Sequence, residues 1–174
     1  IEDNKKIESL PAFLKVKQEY SDGKRDYFIP LEGVYSNKLI SAKLQNNGFS
    51  NLLSGIEHEP MASAVYSVSK KTFTIKDKAY ATVDYKNSPW KKGLYDIEIP
   101  DYPHSGGARY EKQVPRAKTW FRIGHSGDRY LHAGGFSLGC MTITEVVRWG
   151  EIYNGLIKAR KGDLMSVGVL EVID

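Results

Sequence analysis

Ala64-Val65-Tyr66-Ser67-Val68-Ser69, Lys71-Thr72-Phe73-Thr74-Ile75 and residues 79–85 follow one another with little between them. All three are rich in β-branched and aromatic residues and alternate in character along the chain. That is the period of a strand showing one face to a core and the other to solvent. Leu94-Tyr95-Asp96-Ile97-Glu98-Ile99-Pro100 repeats the pattern after the turn Ser88-Pro89-Trp90-Lys91-Lys92-Gly93. Residues 119–124 and 129–132 flank His125-Ser126-Gly127-Asp128 as a hairpin, and residues 165–172 read as a closing strand. The prediction is a mainly β fold, a mixed sandwich, with one principal helix at about 144–161. Thr144 is its expected N-cap, with Glu145 in the first turn and Gly162 as the stop. Val146, Trp149, Ile152, Tyr153, Leu156 and Ile157 share one face of it.

Upstream, residues 12–20, 26–31 and 38–44 read as short strands, the first two joined at Ser21-Asp22-Gly23, and 49–56 as a short helix. A soft boundary at His58-Glu59-Pro60 divides a β-rich N-terminal extension, 1–58, from a second domain, 59–174. The extension is expected to pack on that domain, with residues 1–10 loosely held. At 174 residues, 41% hydrophobic and 26% charged, the chain has the composition of a globular protein with a full core. No apolar run is long enough to cross a bilayer. The chain begins at Ile1 without a charged-then-apolar leader, as a mature or trimmed product would. The net charge of +4 comes from scattered lysines, a solvated surface rather than a nucleic-acid footprint.

Cys140 is the only cysteine, in Phe136-Ser137-Leu138-Gly139-Cys140-Met141, and it cannot form an internal disulfide. His132 precedes it across a glycine-containing stretch that lets the chain fold back. A thiol needs a base to become a good nucleophile at neutral pH, so the two form a candidate nucleophile and base. The N–H groups of Gly139 and Cys140 are candidate oxyanion donors. On spacing alone, a lone cysteine is more often a small core residue. His125 is the rival base, although a turn histidine is more often merely solvated. His104 in its loop and His58 between Glu57 and Glu59 carry no evident chemistry. No close zinc spacing exists, so no metal is expected. Gly124-His125-Ser126-Gly127 and Gly134-Gly135 lack the strand, helix and lysine of a phosphate loop. Trp90, Trp120 and Trp149 are candidates for stacking on sugar rings, with core packing favoured for Trp120 and Trp149.

Tyr130-Leu131-His132-Ala133-Gly134-Gly135-Phe136-Ser137-Leu138-Gly139-Cys140-Met141 resembles the active-site motif of the L,D-transpeptidase (YkuD-type) family. That motif is a histidine turn, a variable loop, then Ser/Thr-x-Gly-Cys and an apolar residue. Ser88-Pro89-Trp90-Lys91-Lys92-Gly93-Leu94-Tyr95 stands where the family has a Thr-Pro-x-Gly-x-Tyr/Phe turn, and the likeness covers roughly 62–174. The resemblance implies a YkuD-like β-sandwich whose cysteine attacks a peptidoglycan stem peptide. The thioester formed is then resolved by an amine or by water, with no cofactor, in the periplasm or outside the cell. It also implies that the Ala133 carbonyl orients the imidazole and that Ser137 lies in the substrate site. Three positions depart from the family. The His-to-Cys gap is short, Leu138 replaces a frequent histidine, and Thr142 stands where Arg or Asn is common. A clamp for a substrate carboxylate is therefore expected from Arg122 and Arg129, with His125 lining the groove. A short loop is similar to that of compact members, some of them secreted interbacterial toxins. Dedicated L,D-carboxypeptidase or endopeptidase action is the alternative reading. A non-catalytic wall-binding module and a general cysteine protease are the others.

Overall fold

The computed structural model describes residue 7 and residues 9–174, so most of the 1–10 stretch lies outside the described residues. Three antiparallel strands build the extension: β1 (Val16–Ser21), β2 (Arg25–Pro30) and β3 (Ile40–Lys43). The β1–β2 turn is set by Asp22, whose Oδ1 accepts the N–H groups of Lys24 and Arg25, with Gly23 at φ +80°. Residues 49–56 are not helical. Their backbone N–H groups are drawn to nearby side chains instead, Phe49 to Asn47 Oδ1 and Leu52 to Ser50 Oγ. Such local bonds compete with a helical ladder.

After β4 (Glu59–Pro60) come β5 (Ala62–Ser67), β6 (Thr72–Ile75), β7 (Lys78–Val83) and β8 (Gly93–Glu98). A 3-10 turn at Ser105–Tyr110 precedes β9 (Phe121–Arg122), β10 (Tyr130–Ala133) and β11 (Met141–Ile143). Helix α1 (Trp149–Leu156), β12 (Ala159–Arg160) and β13 (Ser166–Ile173) complete the chain. Eight strands form one mixed sheet in the order β8-β13-β5-β6-β7-β11-β10-β9. Its first and last strands also meet, through an Ile97–Ile123 bridge and a 2.8 Å bond from Gly124 N–H to Asp96 O. The sheet thus curls back on itself, which leaves few unpaired strand edges. Tyr66, Phe73, Ile97, Phe121, Leu131, Met141 and Val167 fill its interior, all fully buried.

The expected helix is real but shorter than 144–161. Thr144 and Glu145 do not cap it: Thr144 N–H and Oγ1 bond Ala81 O, and Glu145 Oε2 accepts the Ala81 N–H at 2.7 Å. Both residues therefore continue the pairing with β7. Residues 146–148 form a 3-10 turn, and beyond Leu156 the chain pairs as β12 with β4. Within α1, Trp149, Ile152 and Leu156 are buried in the core as their spacing requires.

Candidate active site

β10 and β11 lie side by side and parallel, with His132 opposite Thr142 and Leu131 opposite Met141. Residues in register on parallel strands point to the same face, as do residues two apart on one strand. Tyr130, His132 and Thr142 therefore share a face, and Cys140 stands in the turn immediately before β11. Parallel neighbours ordinarily need a crossover of a dozen or more residues. Here the chain returns through residues 134–140 alone, which keeps the thiol and the imidazole at one end of the sheet.

Cys140 is half-buried, and its thiol points to the Asp128 carbonyl at 3.8 Å rather than to the imidazole. Burial pushes the thiol up from its ordinary range, against the Tyr130 backbone N–H and the Arg129 charge, which lower it. Its turn is braced by Ser137, whose Oγ–H donates to Cys140 O at 2.6 Å and whose Oγ accepts the Gly139 N–H at 3.0 Å. Gly139 has φ +131°, a conformation that side chains rarely adopt. Its amide, expected as an oxyanion donor, is thus already spent on Ser137.

His132 is 7% exposed. Its Nδ1 lies 2.9 Å from Ala133 O and its Nε2 lies 3.1 Å from Thr142 Oγ1. A carbonyl only accepts, so Nδ1 carries the proton and the lone pair of the neutral ring is on Nε2, facing the Thr142 hydroxyl. That hydroxyl has a second acceptor in Phe136 O at 3.3 Å. Thr142 was noted in the sequence only as a departure from the family. It is the partner of the imidazole, and no sequence spacing short of the strand register announces it. Burial pulls the imidazole down to about 4, opposed by the bond to Ala133 and aided by the charge of His104.

A stability consequence follows for the folded chain. Below its ordinary 6.5 the unfolded histidine takes up a proton that the folded one refuses until about pH 4. The unfolded state then binds more protons, so stability falls as pH falls through this window, by roughly 3 kcal/mol over its full width. Denaturant titrations of wild type and His132→Gln at pH 7 and pH 4 should show a smaller acid loss in the variant, by about that amount. Equal losses would contradict a buried neutral imidazole.

The remaining expected residues are placed as follows. Arg129 is clamped: its Nε donates to Gly139 O and its Nη2 to Ser88 O, both at 2.7 Å, and its guanidinium lies 3.9 Å over the Trp90 ring. It ties the cysteine turn to the 88–93 turn, and Trp90, buried beneath it, is unavailable to a sugar ring. Arg122 donates to the Tyr130 hydroxyl and pairs with Asp101 at 3.4 Å. Both arginines thus have some of their donors committed within the protein. His125 turns its nitrogens to Asp96 (2.6 Å) and Glu98 (3.1 Å) on β8, not to Cys140, and the hydrogen bond it donates to Asp96 raises its pKa. Asp96, His125 and Asp163 form a group of possible cation ligands, but Lys161 already lies 2.6 Å from Asp96 and 3.6 Å from Asp163. Trp149 is core, and Trp120 stacks on His132 with centroids 4.0 Å apart.

No family model and no curated protein matches the chain. Among solved structures it is similar to L,D-transpeptidase 1 of Mycobacterium tuberculosis, at 13% identity over 95% of this chain and 85% of that one, TM-score 0.43. L,D-transpeptidase 3 of the same organism is 13% identical over 92% of this chain and 79% of that one, TM-score 0.43. An L,D-transpeptidase from Mycobacterium smegmatis is 9% identical over 96% of this chain and 80% of that one, TM-score 0.42.

Proposed function

We propose that the protein is a cysteine L,D-transpeptidase acting on peptidoglycan stem peptides in the cell envelope. The observation that carries the reading is the short return from β10 to β11, which sets the Cys140 turn beside the strand pair that holds His132, with Nδ1–H fixed on Ala133 O so that the ring offers its Nε2 lone pair. The motif from Tyr130 to Met141 supplies the substrate class by its resemblance to that family.

In this reading the thiol turns from Asp128 O toward the imidazole, and Nε2 exchanges the Thr142 hydroxyl for the thiol proton. Sγ bonds to the carbonyl carbon of the L-centred residue, and the C–N bond to the following D-residue breaks as His132 returns the proton to the leaving amine. An incoming amine then gives its proton to Nε2 and attacks the thioester, and the thiolate leaves and is reprotonated. Water in place of the amine gives carboxypeptidase or endopeptidase products by the same steps. Ser137 acts by shaping the cysteine turn, and of the two expected amides the Cys140 N–H is left to meet the oxyanion.

The test is incubation with purified tetrapeptide and pentapeptide muropeptides, with and without an added D-amino acid, and product masses. Cross-linked dimers or exchanged D-residues are the expected result. Shortened peptides alone mean a hydrolase. No product with any acceptor overturns the catalytic reading and leaves a wall-binding module.

A further inference from the structure

His132 is one end of a column of rings. Trp120 stacks on it at 4.0 Å and 14°, and His104 stacks on the other face of the column at 4.4 Å and 2° from Trp120. Tyr102 continues the pile at 4.7 Å from His104. These rings come from the 3-10 turn's approach and from the strand before the hairpin, so the column is a tertiary construction. His104 is itself fixed at both ends of its contacts. Its Nε2 lies 2.8 Å from Asp101 Oδ1, and its backbone N–H donates to Lys118 O at 2.8 Å. Asp101 is almost fully buried and also accepts the Tyr130 hydroxyl at 3.1 Å. Trp120 is locked in turn by its Nε1–H on Ala117 O at 3.0 Å.

Such a column does two things to the ring at its end. It sets the plane of His132, a ring that the bonds to Ala133 O and Thr142 Oγ1 hold at its two nitrogens. It also places a histidine–carboxylate pair in line with the imidazole across a single indole, with the histidine nearer. Burial alone works to raise the Asp101 carboxyl, but the His104 hydrogen bond and charge, with the Tyr102 N–H and the Tyr130 hydroxyl, hold it below the ordinary range. The carboxylate is therefore ionised and His104 donates to it. A proton on the His104 ring would oppose a second proton on His132 across the indole.

We propose that His104, pinned by Asp101 and stacked through Trp120, is a positioning residue for His132 that fixes its plane and opposes a proton on it. The role assigned to His132 rests on the function proposed above; the coupling between the two rings does not. The other titratable or charged groups around this end of the sheet are Tyr130 on β10, Cys140 before β11, Arg109 and Tyr110 on the 3-10 turn, and Asp101 with Arg122 behind Tyr130. Of these, Tyr130 meets the column edge-on, 4.5 Å from His104 and 5.9 Å from Trp120.

The test is an NMR titration of the histidine rings in the full chain, with His132→Gln used to assign the resonance. Two variants are compared with wild type. His104→Phe keeps a flat ring in the stack without charge, and His104→Gln keeps a hydrogen-bond donor to Asp101 without charge. In whichever variants fold, the His132 midpoint should rise by roughly half a unit or more. A midpoint that stays at the wild-type value in a folded variant overturns the proposal. The pH profile of muropeptide turnover separates this from the functional reading. A profile whose acid limb moves with the NMR midpoint supports both, because a merely structural lesion lowers turnover without moving the limb. A moved midpoint with no turnover in wild type leaves the coupling standing and removes the catalytic role of His132.

Discussion

Cys140→Ala should reduce turnover of stem peptides by about 10³-fold or more while leaving the fold intact. The expected loss is large because nucleophile and base act as a unit, and removing the nucleophile leaves only binding and residual electrostatic help. The stability cost is small because the side chain is half-buried and loses only a sulfur. The structure adds a specific expectation about the resting thiol. Burial raises it and His132 is neutral near pH 7, so the resting pair is thiol and imidazole rather than thiolate and imidazolium. Alkylation of wild-type Cys140 by iodoacetamide at pH 7 should then be slower than that of a cysteine in an unstructured peptide, and should climb steadily as the pH is raised. Substrate turnover should persist at pH 7 nonetheless, since the base takes the proton as the carbon–sulfur bond forms. A Cys140→Ala protein that keeps more than about a tenth of wild-type turnover would remove the thiol from the mechanism. Rapid alkylation at neutral pH would instead show a preformed ion pair, and with it a His132 far more basic than its burial implies.

What was legible in the chain follows from the range of each interaction. Period-two alternation in 64–69, 71–75 and 94–100 marks strands because each one buries a face, and the structure places β5, β6 and β8 there. The glycine-containing stretch between His132 and Cys140 reads as a return between neighbours, and it joins β10 to β11, which pair side by side. The two-residue strands β4 and β12 were not legible, since they exist only through pairing with each other across the chain. The ends of α1 misled for the same reason: Thr144 and Glu145 look like a cap in sequence, but Ala81 claims them first. His104 reads as an idle loop histidine until Trp120 is brought beside it. Arg129 looks like a free cation next to the site until its donors meet Ser88 and Gly139. Residue type announced the chemistry, but which donors were already taken is a tertiary fact.

Glu32→Ala should destabilise the protein by roughly 3–5 kcal/mol, the cost of leaving one member of a buried ion pair alone. Glu32 lies just after β2 in the extension and is 2% exposed, and Arg160 lies in β12 near the other end of the chain. The guanidinium meets the carboxylate through two bonds, Nη2 to Oε1 at 2.8 Å and Nε to Oε2 at 2.9 Å. The rest of the fork is also spent, on Ile157 O, Ala159 O and Phe13 O, and Glu32 Oε1 additionally accepts the Lys15 N–H. His58, which its sequence neighbours suggest is on the surface, joins this knot through a 2.8 Å contact with Phe13 O. Four segments of chain thus converge on one charge pair, and the knot holds the extension against the part of the molecule that carries the site. Chemical denaturation measures the loss, and Glu32→Gln should lose less because it keeps two polar ends. Limited proteolysis should show the Ala variant opening first within residues 9–58 if the extension detaches before the curled sheet unfolds. The double variant Glu32→Leu with Arg160→Met should be more stable than Glu32→Ala, since it leaves no buried charge without a partner, although Ile157 O, Ala159 O and the Lys15 N–H lose these bonds and Phe13 O keeps only its contact with His58. A Glu32→Ala protein within about 1 kcal/mol of wild type would mean that water reaches Arg160 when the carboxylate is gone, and that the extension is held by its apolar contacts alone.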